Sequence, residues 1–409
     1  MGNRRDFLTG AGGWLFAGAI GGVTQRLARG ADLGPAVLPR GTLESSTLAS
    51  LPGKVPLIKK TWRPPNFETP VSYFEQLFTP NEAFFVRYHL AGIPRIEAST
   101  WHLTIAGEAI ARPYQVTLAQ LKSEFERVEV AAVCMCSGNR RGLSTPHVPG
   151  VEWGHGAIGN ARWAGVRLKD LLARAGLKKE AVEIAFDGAD FAVHPATPDF
   201  VKSLPLWKAL DEHTLVAYEM NGEPLPHWNG FPARLVVAGW TATYWIKHLT
   251  AIRALSAPFA GFWMNPAYRI PKGRFPVVDR FITQETETTT PITEMVVNSL
   301  ITAPASGSVV TAGREIEIRG VAWDGGHGIA TVEVSADAGE SWQRAALAAE
   351  HGRFSWRQWS YRMRPQRPGR QIVMARASNR AGTTQTFELI FNPAGYHNNV
   401  VQTVELVVT

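Results

Sequence analysis

The chain has 409 residues, is 45% hydrophobic and 19% charged, and carries a formal net charge of +7 at neutral pH. That length supports about two domains with full-sized cores, and the composition is that of an ordinary globular protein, neither disordered nor membrane-spanning. The modest positive charge, without interleaved basic and aromatic residues, gives no sign of a nucleic-acid partner, while anionic small substrates or an acidic protein surface are permitted.

Residues 1–31 are expected to lie outside the fold. Asn3-Arg4-Arg5-Asp6-Phe7-Leu8 has the pattern of a twin-arginine export signal, followed by a weakly apolar, glycine-rich run from Ala11 to Val23. That run is too short to span a bilayer, so no membrane span is expected in the mature protein. Ala28, Gly30 and Ala31 offer small residues for cleavage, and the expected destination is the periplasm. Twin-arginine export carries folded proteins and suits a cofactor that must be inserted beforehand. Residues 32–70 are rich in proline and polar residues and read as an extended arm. The first domain is expected over 71–287. Within it, Phe84 to His89 alternates like a half-buried strand, with Arg87 on a solvated or functional side.

Val128 to Val133 is rich in β-branched and small residues and reads as a buried strand. It leads into Cys134-Met135-Cys136-Ser137-Gly138-Asn139-Arg140-Arg141-Gly142, where turn residues place two arginines directly after a cysteine. A thiol facing a basic loop favours the thiolate, which can serve as a nucleophile, a redox partner or a soft metal ligand. The two cysteines stand two apart on one strand, where a disulfide would be badly strained. Cys134 is expected as a core residue and Cys136 as the one that carries chemistry.

Cys136-Ser137-Gly138-Asn139-Arg140-Arg141 resembles the molybdenum-ligand motif of the sulfite oxidase family. The resemblance implies a mixed α/β molybdopterin-binding sulfite oxidase fold, α+β overall, with Mo-molybdopterin as cofactor, one molybdenum per chain and Cys136 as the metal ligand. It extends back to Phe85-Val86-Arg87-Tyr88-His89, a segment in the cofactor-binding set, whose arginine faces substrate and whose histidine lies near the pterin. Further on, it implies that Trp153 lines the substrate pocket. The helix read from Lys169 to Ala175, stopped by Gly176, is scaffolding. Asp190, after the strand Val182 to Phe186, matches an aspartate that contacts the pterin.

Asn229-Gly230-Phe231-Pro232 departs from the family, which usually has histidine at the first position. The amide keeps donor and acceptor capacity but cannot titrate, so the cofactor contact at Asn229 is an open question, with His227 a candidate replacement. Arg234 and Lys247 match the basic positions that hold the cofactor phosphate, with Trp245 and Ile246 in the same segment. An arginine fork with a lysine point charge is the donor set a buried phosphate needs. No Gly-x-Gly-x-x-Gly or P-loop appears, so a nucleotide-binding fold is excluded. Tyr268 matches a pocket tyrosine that donates to the substrate oxyanion.

From Thr288 the composition shifts. Thr288-Thr289-Thr290-Pro291 reads as a linker, and short alternating strands over 288–409 predict an immunoglobulin-like β-sandwich of dimerisation type. The animal relatives carry an anion-binding arginine near the C-terminus; here that segment is Phe391-Asn392-Pro393-Ala394-Gly395.

The resemblance implies oxidation of sulfite to sulfate, with Arg87, Arg141 and Tyr268 around the anion. There is no Cys-x-x-Cys-His and no haem in this chain, so the electrons are expected to pass to a separate c-type cytochrome, subunit or transient partner. The alternatives are an exported molybdenum-dependent sulfoxide reductase of the same fold and a non-catalytic binding protein.

Overall fold

The structure is a computed structural model that describes residues 48–275 and 280–409. The export signal expected over 1–31 lies outside the described residues. The architecture is dominated by strands. Among the described residues the α-helices are three short ones, Leu118–Glu124, Leu168–Ala175 and Leu206–Ala209. The expectation of a mixed α/β domain is corrected to this extent: most apolar runs are β-branched and pair as strands, and few carry helical spacing over more than two turns.

The helices form where the local signals are complete. Leu118–Glu124 opens with a reciprocal capping box between Thr117 and Gln120. Leu168–Ala175 buries Leu168, Leu171, Leu172 and Ala175 along one stripe and stops at Gly176, whose φ of 70° is left-handed.

Two sheets build the first region. One is mixed, in the order Lys202–Pro205, Glu183–Gly188, Leu249–Leu255, His102–Ala106, Tyr114–Thr117, with the parallel pair between the third and fourth strands. The other is antiparallel: Val128–Met135 pairs with Ile158–Arg167, which pairs with Thr214–Met220, flanked in turn by Arg234–Val237. The described part of the expected arm is built into the fold, because Leu57–Thr61 and Asn66–Glu68 pair in a small sheet that ends on Val86–Arg87. That edge strand is two residues long, shorter than the alternation from Phe84 to His89 implied.

The strand Val128–Met135 is the hinge of the architecture. Successive side chains on a strand point to opposite faces. Ala132 and Cys134 join the core of the first region, whereas Val133 and Met135 pack with Trp323 and Trp356 of the second. Burying side chains of that size is worth about 2–3 kcal/mol each. The strand therefore ends in a fixed place, and Cys136 emerges from it on the core side.

The second region consists of two antiparallel-dominated sheets that share one apolar core. Ile301, Ile318 and Trp359 come from one sheet, and Val332, Val373, Val404 and Leu406 from the other. The threonine-rich linker is a strand: Thr289–Pro291 pairs antiparallel with Arg269–Pro271, as β-branched threonines favour. No helix among the described residues is long and apolar enough to cross a membrane.

Candidate active site

A narrow cavity of about 50 Å³ opens at the end of the cysteine strand. Its wall gathers residues from segments far apart in the sequence. Cys136 and Ser137 come from the loop after the strand, and Phe85, Arg87, Tyr88 and His89 from the edge strand and its exit. Asp190 follows the strand Glu183–Gly188, Asn229 and Arg234 flank a tight turn, and Trp245, Ile246 and Lys247 precede the strand Leu249–Leu255. Tyr268 closes one side. Residues nearly two hundred positions apart in sequence thus share one wall.

One end of the cavity is a hydrogen-bonded aromatic cluster. The His89 imidazole and the Tyr268 hydroxyl are hydrogen-bonded, and His89 lies flat on Phe200 at 3.6 Å between ring centres. Burial first, then Arg87, Lys247, Lys202 and Arg141, hold His89 well below the usual imidazole range, so it is neutral. Burial pushes the Tyr268 phenol up, with Arg87 and Arg141 pulling it down and Cys136 raising it. This phenol is a protonated donor at neutral pH. Arg87 donates to Asn66 Oδ1 at 3.2 Å and to the Tyr88 carbonyl, while its buried Nε has no partner.

The other end is basic. Arg234 donates to the carbonyls of Asn229 at 2.9 Å and Trp245 at 3.2 Å, and its buried Nε has no partner. Lys247 Nζ donates to the Arg87 carbonyl at 2.6 Å and sits over the Tyr88 ring. Burial holds Lys247 well below the lysine range, partly offset by Asp190, whose own carboxyl is pushed up to about 6 by burial. Gly230, with φ of 112°, brings the turn against Arg234 and Lys247, where an added Cβ would lie 3.0 Å from the Arg234 Cβ.

Three of the expected residues stand off the wall. Val86 points into a small core with Leu51, Leu57 and Phe67. Trp153 is fully buried in the main core rather than lining the pocket. Arg141 donates to the carbonyls of Ala394 at 2.7 Å and Val151 at 3.3 Å. Its guanidinium lies over Tyr396, which stacks on Tyr268 at 5.4 Å. Arg140 is turned towards the second region, donating to Asn298 at 3.0 Å. His227 is half-buried and packs edge-on to Trp228, beyond the wall rather than on it.

Sequence reasoning missed Phe200, Thr243 and Trp228 on the wall, and Lys202 and Tyr396 behind it. Lys202 is buried, with Nζ 4.8 Å from the Tyr268 ring and 4.7 Å from the Tyr244 ring. The aromatic residue after Asn392-Pro393-Ala394-Gly395 was the available signal for Tyr396. Both cysteines are free, and Cys134 also reaches the wall, its thiol pushed up to about 11 chiefly by burial.

Residues 89–263 match the family described as oxidoreductase molybdopterin binding domain, and residues 289–408 match the Mo-co oxidoreductase dimerisation domain. The chain is 36% identical to mitochondrial sulfite oxidase of Homo sapiens over 80% of its own length. It spans 61% of that human protein. It is 34% identical to sulfite oxidase of Gallus gallus, covering 80% of this chain and 72% of the chicken protein. Among solved structures it is similar to the sulfane dehydrogenase SoxCD from Paracoccus pantotrophus, with a TM-score of 0.70 and 26% identity, covering 86% of this chain and 87% of that one.

The residues fit a molybdopterin. A soft thiol at Cys136 shares the wall with the basic side chains of Arg87, Arg234 and Lys247, and Arg87 Nε, Arg234 Nε and Thr243 Oγ1 are buried on the wall without a partner. Buried donors of that kind are satisfied by an anion or a polar ring edge. From the shared sequence, the two matched domains and this cavity, it follows that the chain belongs to the sulfite oxidase family.

Proposed function

We propose that the protein oxidises sulfite to sulfate in the periplasm and passes the electrons to a separate c-type cytochrome. The observation that carries this reading is the shared cavity, whose wall brings Cys136 together with Arg87, His89 and Tyr268 as an anion-binding group and Arg234 and Lys247 as a phosphate-binding pair. Cys136 would ligate the molybdenum; Asp190, Arg234, Trp245, Ile246 and Lys247 would hold the pterin and its phosphate, and Asn229, whose amide is engaged by Lys54 and the Phe85 carbonyl, would brace Arg234 through its own carbonyl. When bound, the cofactor supplies two-electron oxygen-atom transfer, chemistry the side chains alone cannot perform.

The side chains do the rest. Arg87 presents a planar donor to a small oxyanion, and the Tyr268 hydroxyl donates a second hydrogen bond. Neutral His89, protonated at Nε2, donates to the oxygen of that hydroxyl and leaves its single proton for the anion, while Phe200 keeps the imidazole flat. Arg141 supports the same end indirectly, as a cation over Tyr396 behind Tyr268. With alanine at 394, the positive charge at this end comes from Arg87 and Arg141.

Residues 288–409 are read as an immunoglobulin-like sandwich that carries a homodimer, supported by its two sheets around one core and by the dimerisation-domain match. The Arg4-Arg5 pattern supports twin-arginine export. The test is a substrate comparison with purified protein. Sulfite is expected to reduce a c-type cytochrome, with sulfate as product, and methionine sulfoxide is expected to give no turnover. Sulfoxide reduction without sulfite oxidation would favour the reductase reading. Oxidation of a sulfane-sulfur compound in preference to sulfite would move the substrate assignment towards that of the Paracoccus protein.

A further inference from the structure

Lys54 lies in the turn between Leu48–Ala49 and Leu57–Thr61, two paired strands of the small N-terminal sheet, yet its side-chain nitrogen is buried in the first region. It donates to three neutral oxygens: the Asn81 carbonyl at 2.6 Å, the Phe84 carbonyl at 3.0 Å and Asn229 Oδ1 at 2.7 Å. Three donors on three acceptors saturate the group. Removing a lysine from water without a directly bonded carboxylate is costly, and burial lowers this one to about 7, offset in part by the field of Glu82. Such an expense at a purely structural position is unusual, and each of its acceptors leads towards the cavity. Phe84 is on the wall, Asn81 precedes the Phe84–His89 segment, and Asn229 is on the wall beside Arg234.

Asn229 is the branching point. Its Oδ1 is taken by Lys54, its Nδ2 donates to the Phe85 carbonyl at 3.2 Å, and its own carbonyl accepts from Arg234 Nη1 at 2.9 Å. With Arg234 also bonded to the Trp245 carbonyl, the orientation of its unpartnered Nε is set by the two carbonyls it holds. We propose that Lys54 is a positioning residue for the cofactor: through Asn229 it fixes the Arg234 guanidinium that receives the cofactor's phosphate. The N-terminal segment is thereby a working part of the site. The inference rests on the molybdopterin reading above, because it names the group that Arg234 receives.

The test is a double-mutant cycle of Lys54→Met, Asn229→Ala and both, with molybdenum and pterin per folded chain as the readout. Thermal midpoints of the same variants made without cofactor are measured alongside. Each single change is expected to weaken cofactor retention by about tenfold, the effect of leaving one buried polar group unpaired at the site. The double variant should lose no more than about twofold beyond the larger single loss, because both act along one path. Cofactor-free midpoints should shift similarly for Lys54→Met and for core changes of equal cost elsewhere that leave molybdenum content intact. Full occupancy in Lys54→Met, or losses that multiply in the double variant, overturns the proposal. Should Lys54→Met fail to fold, Asn229→Ala with the lysine present reads the same link, and full occupancy there overturns it. Wild-type protein that never takes up molybdenum overturns the functional reading and this inference together, whereas a loaded wild type with an equally loaded Lys54→Met overturns the inference alone.

Discussion

The two regions bury different things. The first encloses Lys54, Lys202, Lys208, Arg140, Arg141 and Arg234, whereas among the described residues after 288 the buried side chains include no lysine or arginine. There the core is aliphatic and aromatic, and the arginines pair at or near the surface, as in Arg370 with Glu405 and Arg376 with Glu333. Burying cations costs stability unless something anionic or strongly accepting receives them. The contrast teaches that the first region is built around a ligand and the second around its own packing. The second also props up the first: Asn298 and Asn398 hold Arg140, and the Ala394 carbonyl holds Arg141, on either side of the loop that carries Cys136.

The sharpest way to break this comparison is a pair of arginine substitutions. Arg87→Gln should raise the KM for sulfite by roughly 10–100-fold, since a charge-assisted donor to the anion is lost. Arg269→Gln should leave KM nearly unchanged and instead lower stability, because Arg269 ties the carbonyls of Met264, Gln284 and Thr289. Equal KM effects in steady-state kinetics would remove Arg87 from the anion pocket.

Next comes a truncation in the second core. Ile318→Ala, at a fully buried position, should cost about 2–5 kcal/mol in denaturant unfolding while the folded protein keeps its molybdenum. Loss of metal in proportion to the lost stability would blur the division between the regions.

A smaller effect should appear with pH. Burial holds His155, His248 and His397 down to about 3. As pH falls below the ordinary imidazole value of about 6.5, the unfolded chain takes up protons that the folded chain refuses. Their contribution to stability is therefore complete above that value and is lost towards pH 3. Asp187 and Asp190, pushed up to about 6, act the other way, since the fold keeps their protons longer. With neutral His89 added, the imidazoles outnumber the carboxyls, so the thermal midpoint of cofactor-free protein should fall on acidification from about pH 7 to about pH 5. Asp190→Asn should steepen that fall, and a midpoint that rises on acidification would contradict the balance.

Much of the site was legible because its chemistry sits at the ends of strongly patterned strands. The run from Val128 announces a buried strand, and its end places Cys136. Asn229, Arg234 and Lys247 meet in the cavity because they stand at the edges of the strands Arg234–Val237 and Leu249–Leu255, which hold their connecting turns in place. What the sequence hid are side chains delivered by irregular backbone. Lys54 lies in a stretch without periodicity, so nothing local announces a buried ammonium. Lys202 begins a four-residue strand, too brief to reveal which face it presents. Val86 and Trp153 turn into the core for a related reason: proximity to the motif in sequence decides neither which side of the short strand Val86–Arg87 faces the cavity nor where the irregular stretch before Ile158 sends Trp153. The threonines at 288–290 looked like a linker by composition, yet β-branched residues beside an unpaired strand readily add to it.

Metal content of Cys136→Ser against wild type bears most directly on the claim that this thiol holds a metal at the junction of the two regions. The account predicts about one molybdenum per wild-type chain and almost none in the variant, with the unfolding midpoint of the cofactor-free variant close to that of cofactor-free wild type. A variant that keeps its full molybdenum would contradict it.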